Sequence, residues 1–282
     1  MTPARWAFAA CLLLALATVG LSLLSGAAPA PAVPLHDGFR SPVLALEFAT
    51  RAEHLDFLQG EAGAEMRDYI RRVQFIDVFF PLAYAGMASA FFLGLALRGN
   101  FLAILGVGLA LATILADWQE NATIDDILDE IENPPCNAQT MPDGASDEAV
   151  LRDCLPESAF ENASPALDLA SFVFDSFLPI RIEFLREDTW TKWALIATYA
   201  VLMSALLWFT GRPVWLSWRR WLAVPPALAA FAICVTWLTR SNGYVAEIMS
   251  ILLIPFMLTF PVAAVMYFLA KPKGRRSKDA PR

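Results

Sequence analysis

Long apolar stretches decide what this chain can fold into. They run from about Trp6 to Leu24, Val73 to Leu97, Phe101 to Trp118, Trp190 to Thr210, Trp221 to Leu238 and Glu247 to Leu269. Windows of roughly 18 or more apolar residues predict helices that cross a bilayer. Composition agrees, because only 17% of the 282 residues are charged, against about 25% in soluble domains. The predicted fold class is therefore all-α: a polytopic membrane helix bundle of about six spans. Amphipathic helices and a disulfide loop are expected on its outer side.

Charge is distributed unevenly. Of 28 acidic residues, 18 lie between Asp117 and Asp188, where Arg152, Arg181 and Arg186 are the only basic ones. The tail from Lys271 to Lys278 is basic instead, as are Arg98 and the loop carrying Arg212, Arg219 and Arg220. The positive-inside rule then puts both termini in the cytoplasm and the acidic loops outside. In a bacterium this describes a multi-pass inner-membrane protein with a periplasmic acidic face. Tryptophans mark the same two boundaries: Trp6, Trp208, Trp215, Trp218 and Trp221 at the inner one, and Trp118, Trp190, Trp193 and Trp237 at the outer one. Membrane lipids are the expected partners, and nothing in the charge pattern calls for nucleic acid.

Taken in order, residues 1–25 form an anchor span, read as uncleaved although Ser25 to Ala30 resembles a signal-peptidase site. Residues 26–72 are a periplasmic linker with amphipathic helices, 73–118 a transmembrane hairpin and 119–189 an acidic periplasmic region. Residues 190–270 form a three-span membrane region, and 271–282 a basic cytoplasmic tail. In the linker, Ser41-Pro42 reads as an N-cap followed by proline at the first helical position. The helix predicted from Val43 to Leu58 carries Glu47 and Arg51 on its apolar stripe. Two readings fit that pair: a snorkelling ion pair on an interfacial helix, or a helix presenting Glu47 to a polar site. Further on, Pro81 is expected to kink the second span. Gly106 and Ala110 make a small-residue packing face on the third. After Pro165 a helix is expected from Ala166 to Leu178, broken at Pro179 from an amphipathic piece, Arg181 to Asp188.

The third span also carries the chemistry. Thr113, Asp117 and Asn121 recur every four residues, with Glu120 between them, so two carboxylates, an amide and a hydroxyl share one helix face. The tight turn at Arg98-Gly99-Asn100 then sets depth. Asp77 lies 22 residues before Gly99 and Glu120 lies 21 after it, so antiparallel helices bring the two nearly level. Lys192, 19 residues before the turn at Gly211, falls near the same level.

The candidate ligand-binding set is Glu47, Asp77, Tyr84, Asp117, Glu120, Asn121 and Lys192. Carboxylates in one layer repel unless protons, a cation or basic groups intervene. Oxygen-only donors at Asp77, Asp117 and Glu120 suit Ca2+ or Mg2+ better than a transition metal. Asp117 and Glu120 could also serve as catalytic acid and base. Three uses stay open: a structural polar network, a site for a cation or lipid headgroup, and a lipid-active hydrolase or transferase. A transporter ranks behind them, because the last three spans hold few ionisable groups. Cys136 and Cys154 are expected to pair in the irregular loop from Asn133 to Ser164 if it faces an oxidising compartment. His54 is expected to be solvated, no paired histidine motif is present, and Asn121-Ala122-Thr123 matches a weak glycosylation sequon.

Three short motifs recur in order: Glu47-Phe48-Ala49-Thr50, Asp77 through Phe80-Pro81 to Tyr84, and Asp117 through Glu120-Asn121. The segment from Val43 to Ile124 thereby resembles a widespread family of uncharacterised bacterial multi-spanning membrane proteins. Its pattern is E-F-x-x-T, D-x-x-F-P-x-x-Y and D-x-x-E-N, with Lys192-Trp193 as a further element; this chain departs from the first motif, with a single residue between Phe48 and Thr50. The resemblance supports this choice of residues and implies no reaction.

Overall fold

The computed structural model describes residues 1–27, 29–132, 169–209, 220–239 and 242–270. Eight α-helices account for most of these residues: α1 (Pro3–Ser25), α2 (Pro42–Glu47), α3 (Gly60–Asp77), α4 (Phe80–Ala96), α5 (Ala103–Glu132), α6 (Leu169–Phe209), α7 (Val224–Thr239) and α8 (Gly243–Leu269). No strand occurs among the described residues. Five helical stretches are long and apolar enough to cross a membrane: Pro3–Ser25, Gly63–Ala96, Ala103–Glu132, Leu178–Phe209 and Gly243–Leu269. The stretch expected as a further span is the shorter apolar helix α7, with 16 residues. At 1.5 Å per residue it reaches only about 24 Å, less than the roughly 30 Å of bilayer hydrocarbon.

The long helices form a closed ring in chain order. Helix α1 packs on α4, α4 on α5, α5 on α6, α6 on α7 and α7 on α8, and α8 returns to α1. Chain direction alternates around the ring. At one end, Arg98 after α4 lies over the rings of Phe8 in α1 and Tyr267 in α8, and its guanidinium donates to the Tyr267 carbonyl. Helices α6 and α7 meet at the same end, with Arg220 over Trp208. The opposite end holds the starts of α6 and α8 and the acidic half of α5, and is called the acidic end below.

An aromatic plug fills the middle of the ring. Phe91 and Phe92 of α4, Tyr199 of α6 and Phe256 and Phe260 of α8 touch edge-on or tilted, with centroids 5.3 to 6.4 Å apart. Such geometry suits the positive edge and negative face of each ring. Two glycines let helices close on these rings: a Cβ on Gly94 would stand 2.5 Å from the Phe8 ring, and one on Gly106 2.5 Å from the Phe92 ring. Outward positions are apolar as well, including Leu13 and Leu16 of α1, Leu115 of α5 and Ile251 and Ile254 of α8. So much exposed hydrocarbon is stable only against lipid or another apolar surface.

The helical stretch Gly63–Ala96 is interrupted where Pro81 is expected to act: α3 ends at Asp77 and α4 starts at Phe80 with Pro81 in its first turn, since proline has no N–H to give the Asp77 carbonyl. Two other expectations about helix boundaries need correction. Pro179 does not separate two helices, since α6 runs through it from Leu169 to Phe209. The helix expected from Val43 to Leu58 is instead two pieces, α2 and a 3-10 segment Ala52–Leu58. Ser41 does cap α2, its hydroxyl accepting from the Leu44 N–H at 3.3 Å, with Pro42 in the first turn. Cys136 and Cys154, and the disulfide expected between them, lie outside the described residues.

Candidate functional site: a buried carboxylate layer around Lys192

Helix α5 builds one wall of the layer. Thr113, Asp117, Glu120 and Asn121 are all buried, so the polar row faces the ring interior. Such a row survives inside a bundle only if neighbouring helices supply partners. They do. Tyr84 of α4 donates its hydroxyl to Asp117 Oδ2 at 2.5 Å. The Asn121 amide donates to Asp77 Oδ2 at 3.0 Å, across the α3–α5 contact. Beside it, the Trp118 indole N–H donates to the Val78 carbonyl at 3.0 Å, so the end of α3 stands level with Asp117 and Asn121.

Helix α6 supplies the base. The Lys192 ammonium donates to Glu47 Oε1 at 3.2 Å and also to Glu120 Oε2. Thr189, one turn earlier, donates its hydroxyl to Glu120 Oε1 at 2.5 Å. Glu120 is 0% exposed, Asp117 4% and Lys192 6%. The Lys192 ammonium also lies 5.1 Å from the Trp193 ring centroid, a cation–π distance.

Glu47 arrives from outside the ring, at the last residue of α2. Two contacts fix that helix. Glu247 at the start of α8 accepts the backbone N–H groups of Arg40 and Ser41 at 3.0 and 2.8 Å. Phe48 packs edge-on against Trp190 at 5.5 Å. The chain then leaves helical geometry, which turns Arg51 away. Arg51 meets Glu53 and His54, and the ion pair expected between Glu47 and Arg51 does not form. Glu47 turns instead to Lys192, as the second of the two readings required. Burial, outweighing the opposing pull of Lys192, pushes the Glu47 carboxyl above its ordinary range. Its Oε2 has no hydrogen-bond partner among the described residues, and neither does Nε1 of nearby Trp193.

All seven sequence-derived candidates, Glu47, Asp77, Tyr84, Asp117, Glu120, Asn121 and Lys192, therefore meet in one layer. A groove on α3 lined by Asp68, Arg71, Arg72, Phe75 and Ile76 lies apart from them. Thr189 was not legible as a member, although its place three residues before Lys192 on one helix face is the signal that could have found it. Beyond the layer, the acidic half of α5 is neutralised by cations from two helices. Arg71 pairs with Asp129 and Glu132, Arg67 with Glu132, and Arg181 with Asp126 and Glu130. Asp188 of α6 accepts from Gln119 and Thr123 of α5 at 2.7 and 2.8 Å.

His54 departs from the expectation of a solvated side chain. It is 4% exposed and stacks on His36 with ring centroids 4.0 Å apart. Burial, reinforced by His36 and Arg51, holds it below the usual imidazole range.

No family model, curated protein or solved structure matches the chain. The geometry above is thus the ground for any functional reading.

Proposed function

We propose that this chain is a bacterial inner-membrane protein whose buried carboxylate layer, at the periplasmic end of the bundle, holds a cation alongside Lys192. One observation carries the reading: of four carboxylates gathered in one buried layer, Glu47 and Glu120 share the single Lys192 ammonium, while Asp117 and Asp77 have only the neutral donors Tyr84 and Asn121. Buried like charges are costly unless a positive charge joins them. The donors are oxygens throughout, which favours Ca2+ or Mg2+. Asp77, Asp117 and Glu47 are the residues proposed to hold the ion; their oxygens do not stand within 4.8 Å of one another as a set of three, so binding would have to draw them together. Tyr84, Asn121 and Thr189 orient the carboxylates from their flanks. The burial of Glu120 and Asp117 favours a small ion over a lipid headgroup. A lipid substrate would have to part α5 from α6 before reaching Asp117 or Glu120. The motifs from Glu47 to Asn121 also support placement in the membrane-protein family that they resemble, a group without an assigned reaction.

The test is thermal unfolding of the purified full chain in detergent, with Ca2+, with Mg2+ and with chelator. A raised midpoint with either ion, absent in the Asp117→Asn, Glu120→Gln double variant, supports the reading. Identical curves under all three conditions overturn it in favour of a proton-neutralised structural network.

A further inference from the structure

We infer that His36, Asp37 and His54 form a second metal site, separate from the carboxylate layer and suited to a transition ion such as Zn2+ or Co2+. One ligand atom from each of the three lies within 4.8 Å of the other two. They come from two short segments, the 3-10 turn His36–Gly38 and the 3-10 segment Ala52–Leu58, brought together over α2.

Several features set this apart from a chance meeting of polar side chains. First, His36 Nε2 lies 2.9 Å from the Ala45 carbonyl, which leaves Nδ1 facing Asp37, 3.3 Å from Oδ2. A ligating imidazole fixed by a backbone carbonyl on its far nitrogen is the usual outer support of a metal site. Second, His54 Nε2 lies 3.6 Å from the same Asp37 oxygen, so both imidazoles address one carboxylate at distances longer than good hydrogen bonds. Third, Asp37 has a positive φ of 49°, a left-handed conformation that costs a non-glycine residue energy and clusters at functional sites. The next residue, Gly38, has φ 82° and faces the Tyr244 ring so closely that a Cβ would stand 2.6 Å from it. The backbone is held where Asp37 projects between the two histidines.

Two neutral nitrogens and one carboxylate are borderline donors, matching Zn2+, Co2+ or Ni2+ and poorly matching Ca2+ or Mg2+. Three protein ligands leave a position for water. The ion reaches the site from solvent past Asp37, whose side chain is 44% exposed. Binding has three local costs. The two imidazoles, stacked at 4.0 Å and 18°, must splay so that both in-plane lone pairs meet one ion. The Arg51 guanidinium, 3.2 Å from His54 Nε2, must swing out, which its 64% exposed side chain permits. The His54 proton must move to Nδ1, giving up the 3.3 Å contact from the Thr50 N–H.

The experiment is titration of the purified, metal-stripped full chain in detergent with Co2+, read by visible absorption, and with Zn2+ in competition. One equivalent should bind with an absorption of low-coordinate Co2+. His36→Gln and Asp37→Asn, in the outer turn, should each weaken binding by at least about tenfold, since ligand loss exceeds the loss of an outer-shell partner. The Asp117→Asn, Glu120→Gln variant should bind Co2+ unchanged, which separates this site from the carboxylate layer. No binding, or binding that survives both His36→Gln and Asp37→Asn, overturns the inference. Neither result depends on whether Ca2+ or Mg2+ shifts the unfolding midpoint.

Discussion

Lys192 reaches Glu47 across 145 positions of sequence, its Nζ standing 3.2 Å from Oε1. The same ammonium also holds Glu120, so three elements, α2, α5 and α6, share one buried charge. Removing it leaves carboxylates that water cannot reach. Lys192→Met, which keeps the length of the side chain, should lower stability by about 3–5 kcal/mol, the usual cost of stranding a buried partner. Thermal unfolding in detergent measures this. Adding Glu120→Gln should recover part of the loss, whereas a single variant as stable as the parent would show that the layer is held by other contacts.

Glu47 should give the layer a pH dependence of defined sign. Burial raises its folded-state carboxyl above the ordinary value of 4.5, so the folded protein retains this proton after the unfolded chain has lost it. The associated stability is complete below 4.5 and is lost as pH rises through the folded value. Glu47→Gln should flatten that decline in a series of unfolding midpoints. A variant whose profile still falls over the same range would assign the proton elsewhere.

Tyr84→Phe removes only the hydroxyl that donates to Asp117. Leaving a buried acceptor without its donor costs about 1–3 kcal/mol. A lowered unfolding midpoint with unchanged helical content is expected, and no change in midpoint would sever Tyr84 from the network.

Two glycines give a paired test of the packing. Gly94→Ala places a methyl group against the fully buried Phe8 ring and should cost about 1–3 kcal/mol by overpacking. Gly108, on the next helix, has nothing within 4 Å of a built Cβ, so Gly108→Ala should be neutral or stabilise by roughly 0.5–1 kcal/mol. Unfolding midpoints that reversed this order would contradict the α1–α4 contact.

Much of the layer was legible because helices turn residue counts into heights. The turn at Gly99 made Asp77 and Glu120 level, and the observed Asn121–Asp77 and Trp118–Val78 bonds sit where that count puts them. Periodicity was less informative outside the ring. The apolar spacing from Val43 to Leu58 is helical on paper, but the contacts of α2 with α8 and with Trp190 outweigh local propensity and break the chain after Glu47. No spacing rule could have joined His36 to His54, since they meet through the fold of two short turns. The prolines divide: the helix breaks just before Pro81 as its missing N–H requires, whereas α6 runs through Pro179. The expected pairing of Cys136 with Cys154 falls outside the described residues.

Ring closure has a consequence for how the protein is made. Helix α1 has its final neighbours in α4 and in α8, which is made well after it, and Phe8 stacks on Tyr267 at 5.6 Å. During synthesis the α8-facing flank of α1 must wait in lipid, or beside an insertion factor, until Tyr267 arrives. The seam between α1 and α8 is thus a natural checkpoint of assembly, and a chain stalled before α8 would be left with an unsealed edge.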